Sequence, residues 1–139
     1  MLAESLRSLT QLQSLDLSSN FIGYKDSNGV VALVESLRYF PKLQSLDLSG
    51  NYIGYKDSNS TVALAESLRY LTQLQSLDLS TNFIGYTDSN GISELLSALA
   101  NLTQHSLTTL SLAGIQGIVW TQAANDLEVF GLVHRFGHR

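Results

Sequence analysis

The feature that most constrains this chain is that it repeats itself. The run Leu12-Gln13-Ser14-Leu15-Asp16-Leu17-Ser18-Ser19-Asn20 returns from Leu43 to Asn51 and again from Leu74 to Asn82. The period is 31 residues both times, and residues 12–42 and 43–73 are identical at 23 of 31 positions. A degraded fourth copy begins at Leu107, after two inserted residues, His105 and Ser106. It keeps Leu107, Leu110 and Leu112 but has Ile115 where Asn is expected. Upstream, Leu2-Ala3-Glu4-Ser5-Leu6-Arg7 matches Leu33–Arg38 and Leu64–Arg69, so the chain opens in the second half of a unit. The expected division is a partial unit 1–11, units 12–42, 43–73 and 74–106, and a degraded unit from 107. Repeats thus fill 1–112, and a tail follows over 113–139.

Each unit carries two periodicities. Leu15 and Leu17 alternate with Ser14, Asp16 and Ser18, which is the period of a short strand. A turn-rich stretch, Gly23-Tyr24-Lys25-Asp26-Ser27-Asn28-Gly29, comes next. Val30, Leu33, Leu37 and Phe40 then fall at helical spacing, as do Ile92, Leu95, Leu99 and Leu102 in the third unit. Asp26, Ser27 or Asn28 is placed to cap the helix by accepting a backbone N–H, and Pro41 is placed to end it. One unit cannot close its own core, but stacked units bury a continuous Leu layer, strands inside and helices outside. Asn20, Asn51 and Asn82 stand where the chain leaves the strand. A buried amide there bonds the backbone groups that the bend leaves unpaired, so this Asn column reads as structural.

The pattern L-x-x-L-x-L-x-x-N-x-I-G, as in Leu43 to Gly54, resembles the leucine-rich repeat. The helical half, Gly29 to Leu37, is similar to that of the ribonuclease-inhibitor-like subclass, with a unit lengthened by Tyr24-Lys25-Asp26. A comparable lengthened unit is reminiscent of repeats in effectors of intracellular bacteria. The resemblance covers about residues 2–112. It implies an α/β solenoid forming a short right-handed horseshoe arc, with a parallel β-sheet on the concave face and α-helices on the convex face. It also implies a non-enzymatic protein-protein interaction module that binds its partner through the concave sheet. The alternatives are the substrate-recognition part of a larger effector or ubiquitin-ligase adaptor, or a self-associating structural element. Function on a repeat scaffold is grafted, so the resemblance bears on fold far more than on role.

Composition excludes several classes. Charged residues are 14% of the 139 residues, against roughly 25% in soluble proteins, while Leu occurs 26 times and Ser 19 times. The net charge is -4 and the basic residues are spread thinly, which argues against a nucleic-acid partner. No apolar run approaches the roughly 18 residues of a membrane span. The N-terminus does not read as a signal peptide. There is no Cys, so disulfides and Cys-based zinc sites are ruled out. The expected location is cytoplasmic, or a host cell for a delivered effector.

The concave strand face is the first candidate surface. Asp16, Asp47 and Asp78 are expected to form one column, flanked by Ser14, Ser45 and Ser76 and by Ser18, Ser49 and Ser80; the fourth strand changes to Thr109, Ser111 and Ala113. Strands about 4.8 Å apart bring these like charges close. Their repulsion is expected to raise the carboxyl pKa values unless a cation neutralises them. The column reads either as a docking stripe for Lys or Arg of a protein partner or as a solvated strand face copied by duplication. Tyr24, Tyr55 and Tyr86 form a row along one rim, and read as an interface or as rings that seal the coil. Glu4/Arg7, Glu35/Arg38 and Glu66/Arg69 read as surface pairs on the helices.

Catalysis, metal and cofactor find little support. The Asp-Ser-Asn-Gly string lacks the acidic ligand pattern of a calcium loop. His134 and His138 lie four apart, but the intervening Arg135-Phe136-Gly137 lacks the Glu of a zincin. No G-x-S-x-G, phosphate loop or catalytic Cys is present. The sequons at Asn59 and Asn101 read as chance.

The ends differ. At the first strand, Leu15-Asp16-Leu17 leaves an edge open for pairing, as in a piece of a longer array or in edge-to-edge self-association. After Ala113, one apolar group, Ile115, Ile118, Val119 and Trp120, is followed by another, Leu127, Phe130, Val133 and Phe136. That stretch reads as a cap over the fourth unit or as a frayed or frameshifted tail.

Overall fold

The computed structural model describes residues 9–85 and 91–112. Tyr86, the first eight residues and the expected cap or tail over 113–139 lie outside the described residues. The elements run β1 (Ser14–Asp16), α1 (Asn28–Ser36), β2 (Ser45–Asp47), α2 (Asn59–Leu68), β3 (Ser76–Asp78), α3 (Ile92–His105) and β4 (Thr109–Ser111). The strands form one parallel sheet in the order β1-β2-β3-β4. Each parallel step needs a crossover, and a helix supplies it every time. This is the expected α/β solenoid with one strand and one helix per unit.

The strands are short because each Asp turns the chain out of the sheet. Asp16, Asp47 and Asp78 accept the backbone N–H of Ser18, Ser49 and Ser80, each at 2.9 Å, a local turn that competes with further ladder bonds. Ser19, Gly50 and Thr81 follow with positive φ of 57°, 67° and 56°. The register is in phase: Leu15 pairs with Leu46, Leu46 with Leu77 and Leu77 with Leu110. The Leu row faces the helices. Leu46, Leu48, Leu77 and Leu79 are almost wholly buried, and Leu15 and Leu17 on the edge unit are half-buried. Each fully buried Leu contributes about 1.5–3 kcal/mol.

The helices fill the other side of that layer. Val30, Leu33, Leu37 and Phe40 are all buried, but the regular helix ends at Ser36 and a 3-10 turn, Leu37–Tyr39, carries the chain on. The turn closes with Phe40 N–H donating to the Leu37 carbonyl. Helical geometry therefore ends before Pro41 acts on it. Ser27 and Ser58, directly before α1 and α2, make no capping bond. Asp26 instead accepts from Asn28 N–H at 2.9 Å, and Asp57 from Asn59 N–H at 2.9 Å. Arg38 Nε donates to the backbone carbonyl of Glu35 rather than to its carboxylate, and its guanidinium lies over the Tyr70 ring.

The two inserted residues of the third unit are absorbed at the end of α3. His105 extends the helix, and the Ser106 and Leu107 N–H groups both close on the Leu102 carbonyl. Ser106 Oγ then ties back to the Leu74 carbonyl at 2.6 Å. Ser76 still pairs with Thr109, so the insertion does not disturb the register. Among the described residues no helix is long and apolar enough to cross a membrane.

Candidate interaction surface

In-phase parallel pairing sets Asp16 beside Asp47 and Asp47 beside Asp78 on the side of the sheet opposite the helices. The column stops there, because Ser111 pairs with Asp78. Ser14, Ser45, Ser76 and Thr109 form a second row. The third row is drawn into the turns: Ser49 Oγ donates to Asp47 Oδ1 at 2.7 Å and Ser80 Oγ to Asp78 Oδ1 at 2.5 Å. Among the described residues Oδ2 of the three carboxylates receives no bond. The expected upward pKa shift is not what Asp16 shows. The backbone N–H of Ser18, and after it the Ser18 hydroxyl, hold its carboxyl below its ordinary value. A bonded N–H stabilises the ionised form more than a like charge across solvent destabilises it.

The Asn residues stand on the strand exits. Asn51 and Asn82 are buried and Asn20 is exposed. Asn51 Oδ1 accepts from Asn20 N–H at 3.0 Å and Ile22 N–H at 3.4 Å. Its Nδ2 donates to the carbonyls of Leu17, Leu48 and Ser49. Asn82 makes the same set one unit on: it accepts from Asn51 and Ile53 and donates to Leu48, Leu79 and Ser80. Asn20 Nδ2 donates to Leu17 and Ser18 carbonyls, and among the described residues nothing donates to its Oδ1.

On the rim the structure brings more rings together than the Tyr row. Tyr24 and Tyr55 stack, with centroids 6.3 Å apart and planes 7° from parallel. Phe21, Tyr52 and Phe83 form a parallel row, and Tyr52 sits at its centre. It meets Tyr24 and Tyr55 edge-on, both at 5.1 Å, and stacks on Phe83 at 5.1 Å. Phe21 lies 5.8 Å from Tyr52. Phe21 and Tyr24 are 60% and 53% exposed, so a large apolar surface stands in solvent at one end of the row. Phe21, Tyr24 and Tyr52 line a hollow of about 300 Å³. Phe21 and Tyr52 hold positive φ of 53° and 62°, unusual for bulky side chains. Sequence reasoning missed Phe21, Tyr52 and Phe83. The signal was available in the recurring Asn-aromatic-Ile-Gly string, where an aromatic alternates Phe, Tyr, Phe after the Asn.

The turn before α2 is tied within its own unit and to the unit before it. Asp57 Oδ2 accepts from Ser27 Oγ at 3.1 Å while its Oδ1 holds the start of α2. Lys42 Nζ reaches Gln11 Oε1 at 2.7 Å across one repeat. Among the described residues no three His, Asp or Glu side chains gather as metal ligands would. His134 and His138 lie outside the described residues, and Asn101 is exposed on α3.

Sequence comparison matches residues 11–33 and 42–64 to the leucine-rich repeat. No curated protein matches the chain. Among solved structures, the C-terminal domain of tropomodulin from Caenorhabditis elegans is similar at TM-score 0.71 and 15% identity, covering 99% of this chain and 81% of that one. At that identity the likeness is one of fold. With one strand, one bonded Asn and one helix in each stacked unit, and with these matches beside them, the chain is a leucine-rich repeat protein.

Proposed function

We propose that the chain is a protein-binding module that docks a partner bearing basic side chains on the strand face formed by Asp16, Asp47 and Asp78. Leucine-rich repeats generally bind protein partners, and a short, rigid stack presents fixed charges at little entropic cost. The observation that carries the reading is the geometry of the column. Each carboxylate is oriented by a bond to Oδ1, and Oδ2 of each receives no bond among the described residues. Three pre-oriented acceptors at strand spacing suit Lys or Arg side chains, with charge-assisted bonds at each. The serine and threonine row of Ser14, Ser45, Ser76 and Thr109 adds donors and acceptors beside it, and Tyr24 and Tyr55 would rim the same surface.

The test is capture of binding proteins by the parent chain and by the Asp16→Asn/Asp47→Asn/Asp78→Asn variant. Asn keeps the Oδ1 acceptor of each turn, so the fold is retained while the charge is lost. A protein held by the parent and released by the folded variant supports the docking face. Equal recovery by both overturns it.

Self-association at β1 is a second reading, carried by one observation. Asn51 and Asn82 each receive two backbone N–H groups on Oδ1, and Asn20 receives none among the described residues. Ser45 N–H donates to the Gln13 carbonyl, whereas the equivalent Ser14 N–H has no strand beside it among the described residues. Concentration-dependent sedimentation that Ser14→Pro abolishes would favour this reading. A monomer at all concentrations would exclude it.

A further inference from the structure

We infer that the hollow between Phe21, Tyr24 and Tyr52 seats an arginine guanidinium of the partner, and thereby makes the surface select arginine over lysine. The inference rests on the docking reading above, because the carboxylate column is what attracts a basic segment to the molecule.

Three aromatic rings line the hollow, which is wide open to solvent and has a volume of about 300 Å³. Their planes are inclined, Tyr24 to Tyr52 by 73° and Phe21 to Tyr52 by 58°, so the hollow is a corner and not a flat stack. Phe21 and Tyr24 hold more than half their surface in solvent, a large apolar exposure for two neighbouring side chains. Cations are attracted to ring faces within about 6 Å of the centroid. The same protein seats two of its own in this way. Lys56 Nζ lies 5.1 Å from the Tyr55 centroid, and Arg38 Cζ lies 5.3 Å from that of Tyr70. In the first unit Lys25 makes no such contact among the described residues.

Arginine fits this corner better than lysine. Its guanidinium is planar, weakly hydrated and able to stack on one ring while its donors reach outward, whereas an ammonium is a compact, strongly hydrated point charge. The carboxylates favour a cation in general, and the chain carries a net charge of -4. Phe21 and Tyr52 follow Asp16 and Asp47 by five residues, a chain length of at most about 18 Å, which an extended basic segment can span. A proline-rich segment also favours aromatic walls, but gains nothing from the carboxylates.

The test uses the full chain and three blocked peptides of equal length: one with four arginines, one with four lysines, and one rich in proline. Affinities are measured by calorimetry at low salt for the parent, for Phe21→Leu/Tyr24→Leu, and for the Asp16/Asp47/Asp78 to Asn triple variant. Tyr24→Leu alone replaces the double variant if that one fails to fold. The expected result is binding of the arginine peptide about three- to tenfold tighter than the lysine peptide. The leucine variant erases that difference, and the Asn variant weakens both peptides. Equal affinity for the two basic peptides, with sensitivity to the Asn variant, overturns the inference and leaves the docking face standing. An arginine preference that survives the leucine variant, or tighter binding of the proline peptide, also overturns it. An arginine preference lost in the leucine variant but unmoved by the Asn variant upholds the hollow and sinks the acidic docking face. No binding by any peptide sinks both.

Discussion

Asn51 hands its backbone N–H to Oδ1 of Asn82 at 3.1 Å, while its own Oδ1 takes the N–H of Asn20 at 3.0 Å. Neighbouring units are thus joined by the amide of one residue and the backbone of its repeat-mate. Replacing Asn82 with Leu keeps the volume and strands the N–H groups of Asn51 and Ile53 and the Leu79 carbonyl, whereas the Leu48 and Ser80 carbonyls keep bonds from Asn51 Nδ2 and the Gly50 N–H. At about 1–3 kcal/mol for each buried unpaired group, and with partial relaxation, the loss is expected to exceed about 3 kcal/mol. Asn20→Leu, at an exposed position, is expected to cost less than about 1 kcal/mol. Chemical denaturation of the two variants measures the difference, and equal losses would refute the role given to burial.

Gly54 is expected to tolerate no side chain. Its φ is +85°, and an added Cβ would stand 2.8 Å from the Phe83 carbonyl oxygen. Left-handed backbone costs a non-glycine residue roughly 1–2 kcal/mol, and the clash with the next unit's backbone adds to it. Gly54→Ala is therefore expected to destabilise by about 2–4 kcal/mol. Gly29 is the opposite case. It lies in α1, its nearest neighbour to an added Cβ is 3.9 Å away, and Gly29→Ala is expected to stabilise by about 0.5–1 kcal/mol. A melting point that moves the same way in both variants would contradict this account.

Acid should weaken the fold partly through Asp16. Its carboxyl is held below its ordinary value by the Ser18 N–H and then by the Ser18 hydroxyl. A group with a depressed folded pKa adds stability that is present above the unfolded value, near 3.9, and is lost as pH falls through the folded one. The Asp16 carboxyl is expected to titrate below that value in an NMR titration. Asp16→Asn keeps the acceptor and removes the proton uptake, so the variant should show a shallower fall in stability below about pH 4. An Asp16 titration midpoint above the ordinary value would overturn this assignment.

Tyr52 should matter more to stability than Tyr24, although both are tyrosines of one ring cluster. Tyr52 touches Phe21, Tyr24, Tyr55 and Phe83, whereas Tyr24 touches Tyr52 and Tyr55 and is 53% exposed. Aromatic pairs contribute about 0.5–1.5 kcal/mol beyond burial. Tyr52→Ala is expected to cost about 2–3 kcal/mol, and Tyr24→Ala less than about 1 kcal/mol. Thermal melts distinguish them, and a larger loss for Tyr24 would reverse the proposed hierarchy.

The fold was legible because one pattern specifies it at several levels. Leu15 and Leu17 define a strand, Val30, Leu33, Leu37 and Phe40 define a helix, and the constant period places each strand beside its copy. The end of α1 was less legible. Pro41 is a strong local signal, but Phe40 N–H had already closed a 3-10 turn onto Leu37, a consequence of packing Leu37 and Phe40 into the same layer. At the candidate surface, the Asp column follows from register alone. At Asp16 the Ser18 N–H within its own turn outweighs the carboxylates across the strands. Phe21, Tyr52 and Phe83 recur in the sequence, but their meeting with the Tyr row depends on the path of the loop, which spacing alone does not encode.

The in-phase register has a further consequence for how such a chain changes over generations. The side-chain bonds that tie one unit to the next span 29 to 34 residues, about one repeat, whichever pair of units is compared. Copies this alike also invite misalignment during recombination, which adds or removes whole units of coding sequence. A chain gaining or losing 31 residues in that way would meet the same amide, the same glycine and the same Leu row at the new junction. Copy number is therefore a heritable dial that the architecture leaves free to turn, and the breadth of the acidic and aromatic rows would scale with it.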